Sequence, residues 1–336
     1  MSTMLKGLWD SVHQALLPAS SFMADTLSIP NFVPHGPLFF VSLACFTCSQ
    51  GLAPMLAKRV VPDIYAKLSR NNRYAWTVHS VSMLHSTLVA PWALYLTIQS
   101  SPAVNDNRVF GWDPRVGTLV SVSAAYFVWD TIESILSGAD TAFAIHGAAC
   151  SFIYISGYRP FSVYFGPRAL IWELSTPFLN MHWFFDKAGM TGSMWQLVNG
   201  ILLLAIFFGV RLVYGMVVTV QFFQAMYDYR HEAPLSLVAF YIIANLILYG
   251  LSWFWFGKMI AALRKRFPDE SKTTPSSPPI ITLEKEAGFT SDSNETIDLI
   301  FDCETLKVPN GDEIKLALRT NGQHLAKRNP KAPSLF

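Results

Sequence analysis

Of 336 residues, 51% are hydrophobic and only 14% charged, well below the roughly 25% charged typical of a soluble globular domain. That excludes an ordinary water-soluble fold and points to a chain dissolved in lipid. A formal net charge of +2, with no Lys/Arg stripe long enough to follow a phosphate backbone, argues for no nucleic-acid partner.

At the N-terminus, residues 1–34, Leu5, Leu8, Trp9, Val12 and Leu16 recur at helical spacing with Lys6, Asp10 and Gln14 opposite. The pattern predicts an amphipathic helix lying in the membrane interface. Asp10 and His13 break the apolar run, so no secretory signal is expected.

A hydrocarbon core about 30 Å thick needs about 20 apolar residues per helix. The stretches that approach this are Pro37 to Ala57, Trp76 to Gln99, Val116 to Ser137, Thr141 to Gly157, Arg168 to Phe185, Trp195 to Phe223 and Leu235 to Ile260. The expected fold class is therefore an all-α polytopic membrane protein, a bundle of about seven transmembrane helices. Kinks are expected at Pro91 and Pro177, which fall inside spans. The fourth and fifth spans are separated only by Tyr158 to Pro167; a re-entrant pair there would change the count and not the parity. Cys45 and Cys48 fall in the first span and read as small buried hydrophobes rather than a redox or metal pair.

The organisation that follows is residues 35–70 as first span and loop, 71–266 as the main membrane domain, and 267–336 as a polar, mostly disordered tail. Within that tail, Thr296 to Leu318 alternates well enough for a hairpin across Asn310-Gly311, and Asn294-Glu295-Thr296 is a glycosylation sequon. Lys58, Arg59, Lys67, Arg70 and Arg73 in the first connection, and Arg264, Lys265 and Arg266 after the last span, place both on the cytosolic side. The N-terminus is then lumenal and the C-terminus cytosolic.

Several spans carry ionisable residues, which cost about 2.5–3.5 kcal/mol each at the bilayer centre and so should face the bundle interior. Ser123, Tyr126, Asp130, Glu133 and Ser137 form one helical stripe. Glu173, Thr176 and Asn180 form another, with His182 close by; His79, Ser82, His85 and Ser86 lie on the second span, and His146 on the fourth. Arg211, midway along the sixth, is the expected countercharge for an acid. These groups are expected to converge on one polar chamber, except His79, which is expected at the membrane surface. Ser82, Ser137 and Asn245 read as interhelical hydrogen bonding, a role Thr176 shares with the chamber wall.

The strings Tyr126-Phe127-Val128-Trp129-Asp130, Ile145-His146 and Trp172-Glu173-Leu174-Ser175-Thr176-Pro177-Phe178-Leu179-Asn180-Met181-His182-Trp183-Phe184 resemble the TLC family. The likeness runs from about Asn71 to Arg266 and is similar to members consisting of a TLC domain alone rather than to ceramide synthases. The resemblance implies an endoplasmic-reticulum bundle with a cavity for acyl chains. Its sphingolipid-making members transfer an acyl group from acyl-CoA to a long-chain base with two adjacent histidines and downstream aspartates. Here His146 matches the first histidine, Gly147 replaces the second, and Trp172, Glu173 and Ser175 stand where the aspartates would be.

The leading expectation is a protein that binds or senses membrane lipid and influences lipid homeostasis. His85, Glu133, Glu173, Thr176, Asn180, His182 and Arg211 would border the lipid, and Asp130 and His146 would contact its head. No cofactor or metal is expected. The enzyme alternative is N-acyl transfer with His146 as base or acyl carrier, Asp130 orienting it, and acyl-CoA as co-substrate. A third reading is an escort for newly made proteins; a homo-oligomer or a membrane-protein partner is left open.

Overall fold

The computed structural model describes residues 3–266 and is helical there, with no strand among the described residues. The tail hairpin, the Asn294 sequon and Cys303 lie outside the described residues. The helices, in order, are α1 (Thr3–Leu27), α2 (Gly36–Val60), α3 (Pro62–Lys67), α4 (Arg70–Ile98), α5 (Pro102–Asp106), α6 (Pro114–Leu136), α7 (Thr141–Ser156), α8 (Phe165–Leu170), α9 (Thr176–Lys187), α10 (Met194–Phe207), α11 (Tyr214–Asp228) and α12 (Leu235–Arg266). A 3-10 segment, Ile171–Ser175, joins α8 to α9, and a π-helical segment, Phe208–Val213, joins α10 to α11.

Among the described residues, five stretches are long and apolar enough to cross a membrane: α2, α4, α6, the continuous Met194–Asp228 and α12. The expected fourth span is α7, whose 16 residues reach only about 24 Å. The expected fifth is not one helix. It is α8, the 3-10 segment and α9 in series, and Pro177 does not kink a helix interior but opens α9, where its missing N–H removes no helical bond. Pro91, by contrast, does lie inside α4.

Helix ends follow from local chemistry. Ser69, Asp113, Asp140 and Ser193 each accept a hydrogen bond from a backbone N–H in the first turn of the helix that follows. Burial alone would raise the Asp113 carboxyl, yet hydrogen bonds from Arg115 hold it below the ordinary carboxylate range. Asp140 is also lowered, first by its hydrogen bond from Lys258 at 2.9 Å and then by the Ala142 N–H. That ion pair ties the α6–α7 turn to α12.

The core sits around α6: 61% of its apolar window is buried inside the protein, against 22–39% for the other four spans. Gly117, Ser121, Ser123, Ala124 and Ala125 are buried on it and let α7, α2 and α4 approach closely. Leu84, Leu88, Ile201, Leu202, Val217, Ile243 and Leu246 point outward, as lipid-facing side chains do. Cys45 and Cys48 are on this outer surface of α2, not buried as expected; Cys150 is buried.

α12 is held differently. It meets its neighbours through long side chains: Phe240 on Phe152, Tyr241 on Phe161, Tyr249 near Trp172, Trp255 on Phe143, and Phe256 on Phe207. Helices propped apart by aromatic rings leave space between their backbones.

Candidate functional site

That space is a cavity walled by α6, α7, α8, the 3-10 segment, α11 and α12, with about 940 Å³ free of atoms, its opening included. Along α7 it runs from His146 to Gly157, about 16 Å at 1.5 Å per residue. Phe127, Tyr154, Phe161, Phe165, Phe222 and Leu248 give it apolar walls, and at mid-bundle His146, Cys150, Trp172, Glu173, Arg211 and Asn245 give it a polar floor.

The floor depends on two departures from regular helix. Before Pro177 the chain tightens, and the Thr176 N–H closes onto the Glu173 carbonyl in the i→i+3 pattern. The Trp172 carbonyl then accepts from Arg211 Nε at 3.2 Å and from Ser175 Oγ at 3.1 Å. Arg211 itself lies in the π-helical segment, where a widened turn aims it at the broken span. Its Nη2 is 3.2 Å from Glu173 Oε1, and both side chains are under one-tenth exposed. Thr176 Oγ1 donates to Glu173 Oε2 at 2.9 Å, and Ser175 Oγ accepts from Arg211 Nε at 3.1 Å. The anion and cation thus satisfy each other and the freed backbone, as buried charge in a membrane requires. Arg211 is the countercharge that was expected, and its acid is Glu173.

The remaining predicted residues divide between this floor and a separate place. His146 borders the cavity with Nε2 3.8 Å from Cys150 Sγ and its ring edge on Trp255. Asp130 is not on the lining. It lies beside the Tyr126 hydroxyl and against the α7 backbone at Gly147, and among the described residues no hydrogen bond joins it to His146. The expected orienting role of Asp130 has no contact behind it. His85 is wholly buried and stacks on Tyr126 at 3.7 Å, away from the cavity. Asn180 accepts from, or donates to, no cavity group; it pairs with His79 Nδ1 at 2.8 Å and donates to Ser82 Oγ at 3.1 Å. Glu133 accepts from the Tyr74 hydroxyl near the end of the bundle, and His182 packs beside Gly200 of α10. Thr176 supports Glu173 from behind. Among the described residues the polar side chains therefore form two hydrogen-bonded sets, one on the cavity and one between α4, α6 and α9, with Asp130 near enough to Glu173 for their charges to interact. Sharing a helical stripe fixes the face of a residue but not which neighbour that face meets.

Gly147 explains the missing second histidine. A Cβ there would come 2.6 Å from Thr131 Oγ1 and 3.2 Å from Asp130 Oδ2, and Thr131 Oγ1 is already pinned by its 2.6 Å bond to the Phe127 carbonyl. The α6–α7 seam has no room for a side chain at 147.

Among the described residues, four polar atoms on the lining have no protein partner: His146 Nδ1, Trp172 Nε1, Asn245 Oδ1 and Ser162 Oγ. Buried polar atoms are rarely left so. Sequence reasoning overlooked Trp172 and Asn245 as cavity residues. A readable sign existed in Tyr241, Asn245 and Tyr249, four apart on one face of α12.

Comparison with known proteins agrees with the architecture. The TLC domain family (TRAM, LAG1 and CLN8) matches residues 75–261, more than half of the chain. A TLC domain-containing protein of Schizosaccharomyces pombe is 34% identical over 255 residues, covering 75% of this chain and 86% of that protein. Topoisomerase I damage affected protein 4 of Saccharomyces cerevisiae is 30% identical over 224 residues, 64% of this chain and 78% of that protein. TLC domain-containing protein 4-B of Danio rerio is 29% identical over 246 residues, 68% and 90% of the two chains. With its polar-floored cavity, its apolar helices and this breadth of match, the chain belongs to the TLC domain family of integral membrane proteins.

Proposed function

We propose that the chain holds a membrane lipid in the cavity beside α12 and, by binding or sensing it, influences the lipid composition of the endoplasmic-reticulum membrane. The observation that carries this is an apolar, bundle-embedded cavity whose floor combines a buried ion pair with partnerless polar atoms. Ligand sites have this composition: apolar walls and a few convergent polar groups. Acyl transfer receives less support, because among the described residues no carboxylate hydrogen-bonds His146 and a Cβ at position 147 would crowd Thr131 and Asp130.

The test fills the cavity. Gly166 borders it, and a Cβ there meets nothing closer than 3.8 Å, so Gly166→Leu adds bulk to the void without touching backbone. Full-length protein purified in mild detergent is expected to show bound lipid by native mass spectrometry, and Gly166→Leu to retain at least fivefold less at an unchanged melting temperature. Equal lipid on both proteins would remove the cavity as the binding site. Lipidomics of cells lacking the chain then reads the consequence for membrane composition.

A further inference from the structure

Resting on the lipid-holding reading above, we propose that the cavity selects a lipid whose head is uncharged and carries both a hydrogen-bond donor and an acceptor, seated on the floor formed by Trp172, His146 and Asn245. Charge balance is the first ground. Among the cavity-lining residues, Glu173 and Arg211 are the only carboxylate and guanidinium, and they cancel each other across 3.2 Å. Arg211 is further committed through Nε and Nη2 to Trp172, Ser175 and Thr176. A phosphate, carboxylate or ammonium head entering this floor would find no free countercharge and would lose its hydration without compensation.

Hydrogen-bond chemistry is the second ground. Trp172 Nε1 only donates, so it requires an acceptor on the ligand. Asn245 Oδ1 requires a donor, and His146 Nδ1 takes either role according to tautomer. Tyr249, one turn along α12 from Asn245, has its ring 6.4 Å from that of Trp172, so the two partnerless groups lie on facing elements about one helical turn apart along α12, within reach of one polar head. A hydroxyl or amide head meets both demands. A carboxylate or phosphodiester only accepts, an ammonium only donates, and a quaternary ammonium does neither. Asp130 is not among the residues that line the void; its carboxylate lies against α7 at Gly147 and offers the head no direct contact.

The experiment is competition. Full-length protein in phosphatidylcholine nanodiscs is loaded with a fluorescent monoacylglycerol, then challenged with monooleoylglycerol, oleyl alcohol or oleoylethanolamide, and separately with oleate, sphingosine or lysophosphatidylcholine. The three uncharged lipids are expected to displace the probe at concentrations at least tenfold below the charged three. Trp172→Phe and Asn245→Leu are each expected to weaken the uncharged lipids about three- to tenfold, the loss of roughly one hydrogen bond. Displacement by a charged lipid as readily as by an uncharged one overturns head selection while leaving lipid holding in place. So does wild-type selectivity in both variants, and if Trp172→Phe fails to fold, Asn245→Leu decides alone. Failure of every lipid to bind overturns the lipid-holding reading itself, and head selection with it.

Discussion

Arg211 illustrates how one side chain sets what the rest of a membrane bundle must do. It is buried in the middle of a long apolar stretch, and four groups contributed by the broken span satisfy it. Removing one member of a buried pair leaves an uncompensated charge, a loss of about 3–5 kcal/mol, whereas removing both is often nearly neutral. Arg211→Leu is therefore expected to lower unfolding free energy by roughly that amount in a denaturant titration in detergent, and Arg211→Leu with Glu173→Leu to recover most of it. Additive losses would show that the pair is not the unit. The pairing was half legible in the sequence: a lone arginine amid apolar residues demands an acid. Which acid was not legible, because Asp130, Glu133 and Glu173 all lie on inward stripes and only the 3-10 geometry brings Glu173 forward. His146 was legible as a cavity residue and Asp130 was not, since a turn of difference on α6 moves a carboxylate from the void to the seam with α7.

Among the elements, the irregular ones carry the site. The 3-10 segment frees the Trp172 carbonyl, and the π-helical segment delivers the guanidinium to it. A π-helical turn holds one residue more than an α-helical turn would, so a single deletion inside it can restore α-helix on both sides. Gly209 is exposed and a Cβ there would touch nothing, which makes it the residue whose deletion disturbs packing least. Deleting Gly209 is expected to leave helical content by circular dichroism unchanged while moving Arg211 off Glu173, with bound lipid falling at least fivefold in native mass spectrometry. Retained lipid would mean that the widened turn has no part in shaping the floor. The long helices α2, α4, α6 and α12 were readable because an apolar run of sufficient length has few alternatives in lipid. The broken fifth span was not, since hydropathy averages over a 3-10 turn as easily as over an α-helix. Pro177 was the available signal, and its fixed φ suits the first turn of a helix as well as it suits a kink.

For the whole molecule, sidedness follows from where the basic residues collect. Lys58, Arg59, Lys67, Arg70 and Arg73 lie from the last turn of α2 to the first turn of α4, and Arg264 lies in the last turn of α12, so both ends should remain cytosolic. The sequon at Asn294 is then expected to stay bare in cells, while a sequon introduced into the α4–α6 connection, near Arg108, is expected to gain a glycan read as an endoglycosidase-sensitive mass shift. A glycan at Asn294 would invert the topology. The apolar balance of the chain made the bundle readable at this scale, but not the cavity, because a void is a property of how far apart two helices stand. Here that distance is set by Tyr241, Tyr249, Trp255 and Phe256 acting as spacers under α12. The gauge of the chamber is thus written in the lengths of a few rings on a single helix. Exchanging a spacer for a larger or smaller one re-bores the chamber while every backbone hydrogen bond in the framework stays where it is.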